Sequence, residues 1–382
     1  MEEFSFSVPQ NIVAGRKTIE KLPEIAAKLG GKKAFIISGP HLNKIGAVAA
    51  CEALLKKAGI ESAAFTDCEG NPSVETVEKA TAMFQESGAD FIVAYGGGSP
   101  MDVAKAVGVV AKYGGSITDY EGAHKVPGDI IPLVAIPTTA GTGSEVTAFS
   151  VITDHSRQYK LTVFSYKILP TYAILDADLI TTVPAGVAAA CGMDALIHAL
   201  EAYISTAASP FSDAMAEKAM ELIGGHIRRY VANRGDLEAA QAMLVGSLFA
   251  GIAFSFARLG NVHAMSHPVS AHFNVAHGVA NAILLPTIVD YNALADHGKY
   301  RKIYNYIAEI PLGEDEFESF MLADEIRDLN DILGIPATLG EVGVKAEAIP
   351  AMAADAMKSG NIAVNPRSSK LEDIEMLYRK AM

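Results

Sequence analysis

The sequence predicts an α/β half followed by an all-α half, and two observations support this prediction. In the first 180 residues, short β-type runs alternate with helical patterns, an order typical of a parallel sheet with helices on both faces. After Pro184, long stretches rich in Ala, Leu, Met and Ile dominate, with almost no strand pattern. The change between Leu179 and Pro184 therefore predicts two domains of ordinary size, residues 1–180 and residues 181–382.

Each strand of the first half is predicted from a short apolar run, and each helix from the longer periodicity that follows it. The predicted strands are residues 33–38, 90–95, 131–137, 150–153 and 172–175, and the predicted helices are residues 41–58 and 100–112. In the second half, residues 239–257 form an uncharged stretch that is nearly long enough to span a bilayer. Its Gln, Gly and Ser residues, and the arginine after it, favour a buried helix at the centre of a domain.

Charge and cysteine content exclude several classes of protein. The formal net charge of −13 argues against a nucleic-acid partner, because the phosphates would be repelled. The sequence has no basic run that would favour an anionic membrane surface, and its acidic N-terminus lacks the apolar core of a secretion signal. Cys51, Cys68 and Cys191 form neither a disulfide framework nor a zinc knuckle, which is consistent with a reducing cytoplasm.

Histidines and one aspartate form two blocks with the spacing of helix neighbours. Asp194 and His198 lie four residues apart in a proline-free, Ala-rich segment that suits a helix, so both side chains share one face. His263 and His267 repeat this spacing just before a proline that is expected to disturb the helix, and His277 follows. A carboxylate with imidazoles suits Fe(II), Zn(II) or Mn(II), and the lack of thiolates argues against a structural zinc site.

The alternative for these blocks is that their members are ordinary capping or hydrogen-bonding groups of helices. An isolated Asp-x3-His pair is most often of that kind. The second histidine block makes a metal site the better prediction, and if the two blocks meet in space the chain is a metalloenzyme.

A glycine-rich loop follows the predicted strand 90–95 and opens the next helix. Three consecutive glycines that end at Gly98 let the backbone approach a ligand closely. Ser99 is predicted as the helix N-cap, with Pro100 in the first position and Asp102 completing a capping box. The free N–H groups of such a helix start would bind a phosphate, and the alternative is a plain tight turn that caps a helix.

A second loop, residues 137–145, follows the predicted strand 131–137 and is dense in hydroxyls and glycines. These groups suit hydrogen bonding to phosphate and ribose, so the loop supports a nucleotide ligand. The sequence has no Gly-x-Gly-x-x-Gly motif here and no Walker A motif, so a standard Rossmann fingerprint is not supported.

Together these motifs resemble the iron-containing alcohol dehydrogenases, over essentially the whole chain and in the family's order and spacing. The matching segments are Gly-Gly-Gly-Ser-Pro-Met-Asp at 96–102 and residues 138–145, 192–203, 263–279 and 365–374. The resemblance implies an N-terminal α/β dinucleotide-binding domain followed by an all-α C-terminal domain, a dehydroquinate synthase-like fold with the active site in the cleft between them. It also implies a homodimer.

Carried over position by position, the resemblance implies site residues and cofactors. It implies Fe(II), with Zn(II) or Mn(II) as alternatives, and NAD(H) or NADP(H). The metal ligands would be Asp194, His198, His263 and His277, with His267 near the nicotinamide in proton relay. The dinucleotide would be bound by Gly97, Gly98, Ser99 and Asp102 at the pyrophosphate, Thr138, Thr139 and Thr142 at the adenine and ribose, Lys160 at the nicotinamide ribose, and Asn71 on a loop that closes on the cofactor.

Two departures from the family pattern bear on specificity. Gly39 stands where members that use NAD often carry an Asp facing the ribose, so NADPH is expected to be tolerated. Arg258 and His272 stand where smaller or apolar residues are expected. A guanidinium beside the metal would pair with a carboxylate or sulfonate on a short aldehyde. The alternative is that Arg258 ends the preceding helix and interacts with its dipole.

The sequence therefore predicts a metal-dependent, NAD(P)-linked alcohol dehydrogenase or aldehyde reductase for a short substrate, including one with an anionic group. A lyase or cyclase of the dehydroquinate synthase type would need several basic residues for a phosphorylated substrate. A metal-dependent hydrolase without a nucleotide is disfavoured by the two phosphate-type loops.

Overall fold

The computed structural model describes residues 4–8, 10–157 and 159–382, and the chain divides into two compact units. An α/β unit comprises Val8–Thr139 and Ser144–Ile180. A helical unit comprises Thr181–Met382, the short segment Ala140–Gly143 and the segment that ends at Ser7. The sequence alone places both short segments in the first domain, whereas in the structure they belong to the helical unit.

The α/β unit is built on a six-stranded parallel sheet with the order β1-β9-β6-β4-β2-β3. Its strands are β1 (Asn11–Gly15), β2 (Lys33–Ile37), β3 (Glu61–Phe65), β4 (Phe91–Gly96), β6 (Leu133–Pro137) and β9 (Tyr172–Asp176). The helices of this unit are α1 (Leu22–Lys28), α2 (Pro40–Lys44), α3 (Ala47–Lys57), α4 (Val74–Ser87) and α5 (Gly98–Tyr113). The predicted parallel sheet is confirmed.

Both faces of this sheet are buried, because successive side chains of one strand point to opposite faces. In β2, Phe35 and Ile37 belong to one hydrophobic core and Ile36 belongs to the other. In β4, Ile92 and Val93 divide in the same way. Burial on both faces explains why these strands read as continuous apolar runs in the sequence.

A separate sheet of three strands with the order β5-β8-β7 lies in the same unit: β5 (Gly122–Ala123), β7 (Phe149–Asp154) and β8 (Tyr159–Phe164). The predicted strand 150–153 belongs here, where β7 pairs antiparallel with β8, and not in the parallel sheet. Alternate residues of β7 are buried, the pattern of a strand with one covered face.

The predicted helix 41–58 is two helices in the structure. Gly46 adopts the left-handed conformation with φ of 80° and separates α2 from α3. Glycine takes this conformation without the steric cost that a side chain would add.

The helical unit contains nine α-helices in the part of the chain that the structure describes. They are α6 (Ala185–Ile204), α7 (Pro210–Ala232), α8 (Leu237–Ala257), α9 (Asn261–Phe273), α10 (His277–Asn292), α11 (Lys299–Ile307), α12 (Phe320–Ile332), α13 (Ile349–Ala356) and α14 (Leu371–Lys380). By length and composition α6 and α8 could each cross a membrane, but most residues of both helices are buried inside the protein. This agrees with the buried helix predicted for residues 239–257.

The prediction that Pro268 disturbs the helix after His267 is wrong. Helix α9 continues through Pro268 to Phe273 and ends at Asn274, which adopts the left-handed conformation. Proline removes one backbone hydrogen bond from a helix interior, and packing of a largely buried helix compensates for that loss here.

Candidate functional site

Helix α6 carries three buried polar side chains in an otherwise apolar helix. Asp194, His198 and Glu201 follow each other at i, i+4 and i+7, so they lie on one helix face. Their exposed fractions are 4%, 5% and 2%, respectively. Buried ionisable groups need partners because their desolvation is costly, and those partners come from α9 and α10.

Helices α9 and α10 bring two more histidines to the same carboxylate. The Oδ1 atom of Asp194 lies 3.9 Å from His198 Nε2, 3.7 Å from His263 Nε2 and 3.9 Å from His277 Nε2. The rings of His198 and His263 stack with centroids 4.6 Å apart, and Phe254 of α8 packs on the other side of His198 at 4.5 Å. The two sequence blocks therefore meet in space.

This arrangement fits a single divalent metal ion. Two donor atoms that each lie about 2.1 Å from one ion can be at most about 4.2 Å apart, and all three distances from Asp194 Oδ1 meet this limit. One donor atom from each of Asp194, His263 and His277 lies within 4.8 Å of the others, and His198 lies outside this closer group although its Nε2 atom is 3.9 Å from Asp194 Oδ1. One carboxylate with three imidazoles suits Fe(II), Zn(II) or Mn(II).

The electrostatics of the cluster favour an ionised carboxylate. Burial would raise the pKa of Asp194, but the three surrounding histidines hold this pKa far below its usual range. Burial lowers the pKa of His198 to about 4 despite the nearby Asp194. Burial also opposes protonation of His263, but hydrogen bonds that its ring donates to the carboxylates of Asp194 and Glu201 raise its pKa to about 9. A permanent negative charge among nitrogen donors is what a cation site requires.

Glu201 orients His263 from behind, a role that the sequence analysis missed. Its Oε2 atom lies 2.6 Å from His263 Nδ1, and its Oε1 atom accepts a hydrogen bond from the backbone N–H of Val262 at 2.7 Å. The carboxylate therefore binds the start of α9 and the ring at once, which leaves His263 Nε2 directed at Asp194. The signal was available in the sequence, since Glu201 lies seven residues after Asp194 on the same predicted helix.

The polar side chain of Asn281 also enters the cluster and was not predicted. It lies one turn after His277 on α10 and is fully buried. Its Nδ2 atom donates to Asp194 Oδ1 at 2.7 Å and lies within 3.2 Å of the ring nitrogens of His263 and His277.

His267 lies beside this cluster. Its ring stacks on the ring of His277 with centroids 5.1 Å apart, and it is 6.3 Å from the ring of His263. The spacing of His263 and His267 on α9 places both rings toward the same side of the helix. His267 is thus an imidazole adjacent to the donor set.

Arg258 and His272 are engaged elsewhere. Arg258 is exposed, ends α8 with a backbone hydrogen bond to Phe254, and its guanidinium donates to the carbonyl of Gly360. His272 is exposed and pairs with Asp355 at 3.0 Å. The structure therefore favours the role of Arg258 at the end of α8, because its guanidinium contacts the carbonyl of Gly360.

The candidate cofactor residues of the α/β unit lie at the carboxyl ends of three neighbouring strands. Gly39 follows β2, Gly97 and Gly98 follow β4, and Thr138 and Thr139 follow β6. These three strands are adjacent in the sheet. The chain runs outward from β2 to β3 and then returns to β4, so β2 and β4 flank the point where the strand order reverses. Ligands of open α/β sheets bind at such a point.

The glycine loop is two residues shorter than predicted. Helix α5 begins at Gly98 with Gly97 as its N-cap, so Ser99 lies inside the first turn and the predicted capping box at Ser99 is wrong. A Cβ atom on Gly97 would lie 3.2 Å from Thr139 Oγ1, so glycine lets the two loops approach closely. The three residues 97–99 still form a helix start with free backbone N–H groups.

Below this helix start lies a buried polar cluster. The Oγ atom of Ser144 donates to Asp102 Oδ1 at 3.2 Å, and the fully buried Lys105 donates to Ser144 Oγ at 2.9 Å and to the Phe149 carbonyl at 2.8 Å. Burial raises the pKa of Asp102 to about 6 and lowers that of Lys105 to about 8. These contacts tie α5 to the segment after β6.

The structure also brings together Asn71 and Lys160, which lie far apart in the sequence. Lys160 of β8 donates to Asn71 Oδ1 at 2.7 Å, and burial lowers the pKa of this lysine. Asn71 adopts a positive φ of 57° in the loop before α4. Thr142 lies instead in Ala140–Gly143, where Gly141 packs against Cys191 of the helical unit.

Comparison with known proteins decides the family. The iron-containing alcohol dehydrogenase model matches residues 9–177, and the C-terminal model of the Fe-containing alcohol dehydrogenase family matches residues 188–382. The chain belongs to the iron-containing alcohol dehydrogenase family. It is similar to the 1,3-propanediol dehydrogenase of Klebsiella pneumoniae, with 39% identity over 99% of this chain and 98% of the relative. The lactaldehyde reductase of Escherichia coli (strain K12) is 39% identical over 96% of each chain.

A crystal structure of 1,3-propanediol oxidoreductase covers the whole of both chains with a TM-score of 0.95 and 39% identity. The predicted fold class is thereby confirmed. This iron-containing alcohol dehydrogenase is an oxidoreductase of a family that uses a divalent metal and NAD(P).

A substitution of Glu201 tests whether this residue strengthens metal binding by orienting His263, without binding the metal itself. Glu201→Gln keeps an amide oxygen that can accept the hydrogen bond from the backbone of α9. It removes the negative charge of the carboxylate beside the ring of His263. We expect metal affinity to fall about 10- to 100-fold, as for other carboxylates that orient a histidine ligand. Metal affinity is measured by competition with a chelator. Glu217→Gln, a carboxylate of α7 that bonds Tyr203, is the control and should leave metal affinity unchanged. Equal affinities for wild type and Glu201→Gln would contradict the assignment.

Proposed function

We propose that the protein is a metal-dependent, NAD(P)-linked dehydrogenase of short-chain alcohols, or a reductase of the corresponding aldehydes. The convergence of three ring nitrogens from three helices on the Oδ1 atom of Asp194 supports this proposal most directly. Membership of the family supplies the type of reaction. We also expect a homodimer in the cytoplasm, which light scattering and cell fractionation would check.

Asp194, His198, His263 and His277 would hold the metal. When bound, this metal supplies Lewis acidity to the alcohol or carbonyl oxygen, and the nicotinamide accepts or supplies a hydride. Phe254 and the neighbouring apolar residues of α6 and α8 exclude water from the back of the site. His267 would relay the proton of the substrate oxygen, since its ring stacks on a ligand without being needed to complete the donor set.

The dinucleotide would be held at the carboxyl ends of β2, β4 and β6. Backbone N–H groups at Gly97, Gly98 and Ser99 begin α5 and suit a pyrophosphate. Thr138 and Thr139 would supply hydroxyls to the adenosine half, with Asp102 supporting the loop. Asn71 and Lys160 contact each other and would bind the nicotinamide ribose together. Thr142 would supply a further hydroxyl to the dinucleotide.

For the substrate we propose a short, uncharged alcohol or aldehyde. The relatives named above are a 1,3-propanediol dehydrogenase and a lactaldehyde reductase, both named for three-carbon, uncharged compounds. The basic side chains that suggested an anionic substrate, Arg258 and His272, have partners on the protein. The anionic substrate therefore lacks the structural support that the sequence indicated for it.

The central test compares two histidine substitutions. His198→Ala removes a donor atom and should lose most bound metal and nearly all NAD(P)H turnover at 340 nm. His267→Ala should keep the metal, because its role is protonic, and should slow turnover about 100- to 10,000-fold. Metal content is measured by elemental analysis of the same preparations.

Treatment of the wild type with a chelator should abolish hydride transfer, and added Fe(II), Zn(II) or Mn(II) should restore it. Full activity in a metal-free preparation would disprove the metal site. Loss of metal in His267→Ala would show that this residue is a ligand and not a proton relay.

A second test concerns substrate charge. Because Arg258 is engaged with Gly360, we expect kcat/KM to be higher for an uncharged aldehyde than for a sulfonated or carboxylated aldehyde of equal length. Arg258→Ala should change both values equally. If Arg258→Ala raises KM for the anionic aldehyde alone, this guanidinium recognises the substrate after all.

A third test concerns the choice of dinucleotide. Gly39 precedes α2 and has no carboxylate to repel a 2′-phosphate, so NADPH should be tolerated in addition to NADH. Gly39→Asp should shift the ratio of kcat/KM toward NADH. The added Cβ would lie 3.2 Å from the Cys68 carbonyl, so Gly39→Ala is the steric control and should leave the ratio unchanged. An unchanged ratio in Gly39→Asp would show that this position does not face the ribose.

A further inference from the structure

The amide of Asn281 stands among the metal-binding side chains in an arrangement that hydrogen bonding alone does not satisfy. Its Nδ2 atom lies 2.7 Å from Asp194 Oδ1, 3.1 Å from His263 Nε2 and 3.2 Å from His277 Nε2. An amide nitrogen carries two N–H groups, so it cannot donate to all three atoms at once.

The other end of the same amide is also unsatisfied. The Oδ1 atom of Asn281 is buried and has no hydrogen-bond partner among the residues that the structure describes. The reverse orientation of the amide would place its oxygen atom against the carboxylate oxygen of Asp194. The carboxylate of Asp194 thus determines that the nitrogen end of the amide faces the cluster. This orientation leaves the buried Oδ1 atom of Asn281 without a hydrogen bond, which costs free energy.

A bound cation reverses this preference. With a metal in place, the ring nitrogens of His263 and His277 no longer accept hydrogen bonds, so the N–H groups of Asn281 keep only the carboxylate of Asp194 as an acceptor among these three side chains. The amide oxygen, in contrast, gains a positive charge to face. Side-chain amide oxygens bind divalent cations in proteins, and carbonyl donors suit harder ions such as Mn(II).

We propose that Asn281 is a fifth polar member of the metal site, whose amide turns so that Oδ1 faces the cation when the site is loaded. This inference rests on the proposed function, because it requires a metal at Asp194, His198, His263 and His277. In the metal-free protein the N–H groups of Asn281 hold the ligands together. In the loaded protein its oxygen stabilises the ion.

A purely structural role for Asn281 can be distinguished with a matched residue of the same unit. Asn330 of α12 is buried, donates Nδ2 to the carbonyl of Ala282 on α10 at 2.8 Å, and also has an Oδ1 atom without a partner among the described residues. It therefore contributes the same type of hydrogen bond to the same helix, but outside the ligand set.

The experiment measures Co(II) binding to the full-length, chelator-stripped protein at pH 8, by competition with a chromophoric chelator. Asn281→Ala should raise the Co(II) dissociation constant about tenfold or more, within the range for residues that support metal ligands. It should also shift the visible absorption of bound Co(II). Asn281→Asp should bind Co(II) at least as tightly as the wild type, because a carboxylate faces the cation. Its metal-free form should have a lower Tm than the wild type, because two carboxylates then meet without a cation.

Asn330→Ala should lower the Tm of the metal-free and loaded proteins by similar amounts and leave the Co(II) dissociation constant and spectrum unchanged. If Asn281→Ala does not fold, Asn281→Ser takes its place with the same expected weakening, because its shorter side chain cannot reach the ion.

Opposite effects of the alanine and aspartate substitutions on Co(II) affinity would support the proposal. Equal weakening by both, or an Asn281→Ala protein whose affinity lies within twofold of the wild type and whose spectrum is unshifted, would overturn it. A wild-type protein that binds no Co(II) would refute the metal site itself, and with it this inference. The two failures are therefore distinguishable.

Discussion

The burial of the Asp194 carboxylate on an apolar helix is the constraint around which the helical unit is arranged. An ionised carboxylate that is removed from water costs several kcal/mol unless other groups compensate it. Helix α6 supplies only His198 as a local partner, so α9 and α10 must pack where His263, His277 and Asn281 reach the same oxygen atom. The same convergence produces a cation site, so stability and chemistry impose one requirement on these three helices.

A comparable constraint operates in the α/β unit, where polar groups collect at the ends of buried strands. Strand β6 contains only apolar residues, and β2 and β4 are apolar along most of their length, so the polar groups near them lie in the loops after β2, β4 and β6. Lys105 and Asp102 show how such a loop is held, since a buried lysine joins α5 to Ser144 and Phe149. The rigid sheet sets the loop positions, and the buried ion cluster fixes their conformation.

Local patterns predicted the fold and most of the proposed ligands, while contacts between distant segments escaped prediction. The alternation of apolar runs and helices identifies the sheet, and the four-residue spacing identifies Asp194 with His198, because both are properties of one segment. The contact of Glu201 with His263, and of Lys160 with Asn71, joins residues that are far apart in the chain. The prediction for Pro268 failed for the opposite reason. The general rule that proline interrupts a helix is a property of one segment, and the packing of α9 outweighed it.

The close approach of the backbones of α6 and α10 determines whether His277 reaches Asp194. For this contact the sequence does contain an indication, the glycine at position 278. A Cβ atom on Gly278 would lie 2.2 Å from the carbonyl oxygen of Ala190, a distance that real side chains do not allow. Any residue with a side chain at 278 would therefore displace the start of α10 from α6. His277 is the first residue of α10, so this displacement would carry its ring away from Asp194. The pair His277-Gly278 is thus a unit: the histidine supplies the nitrogen, and the glycine supplies the helix contact that brings it within reach.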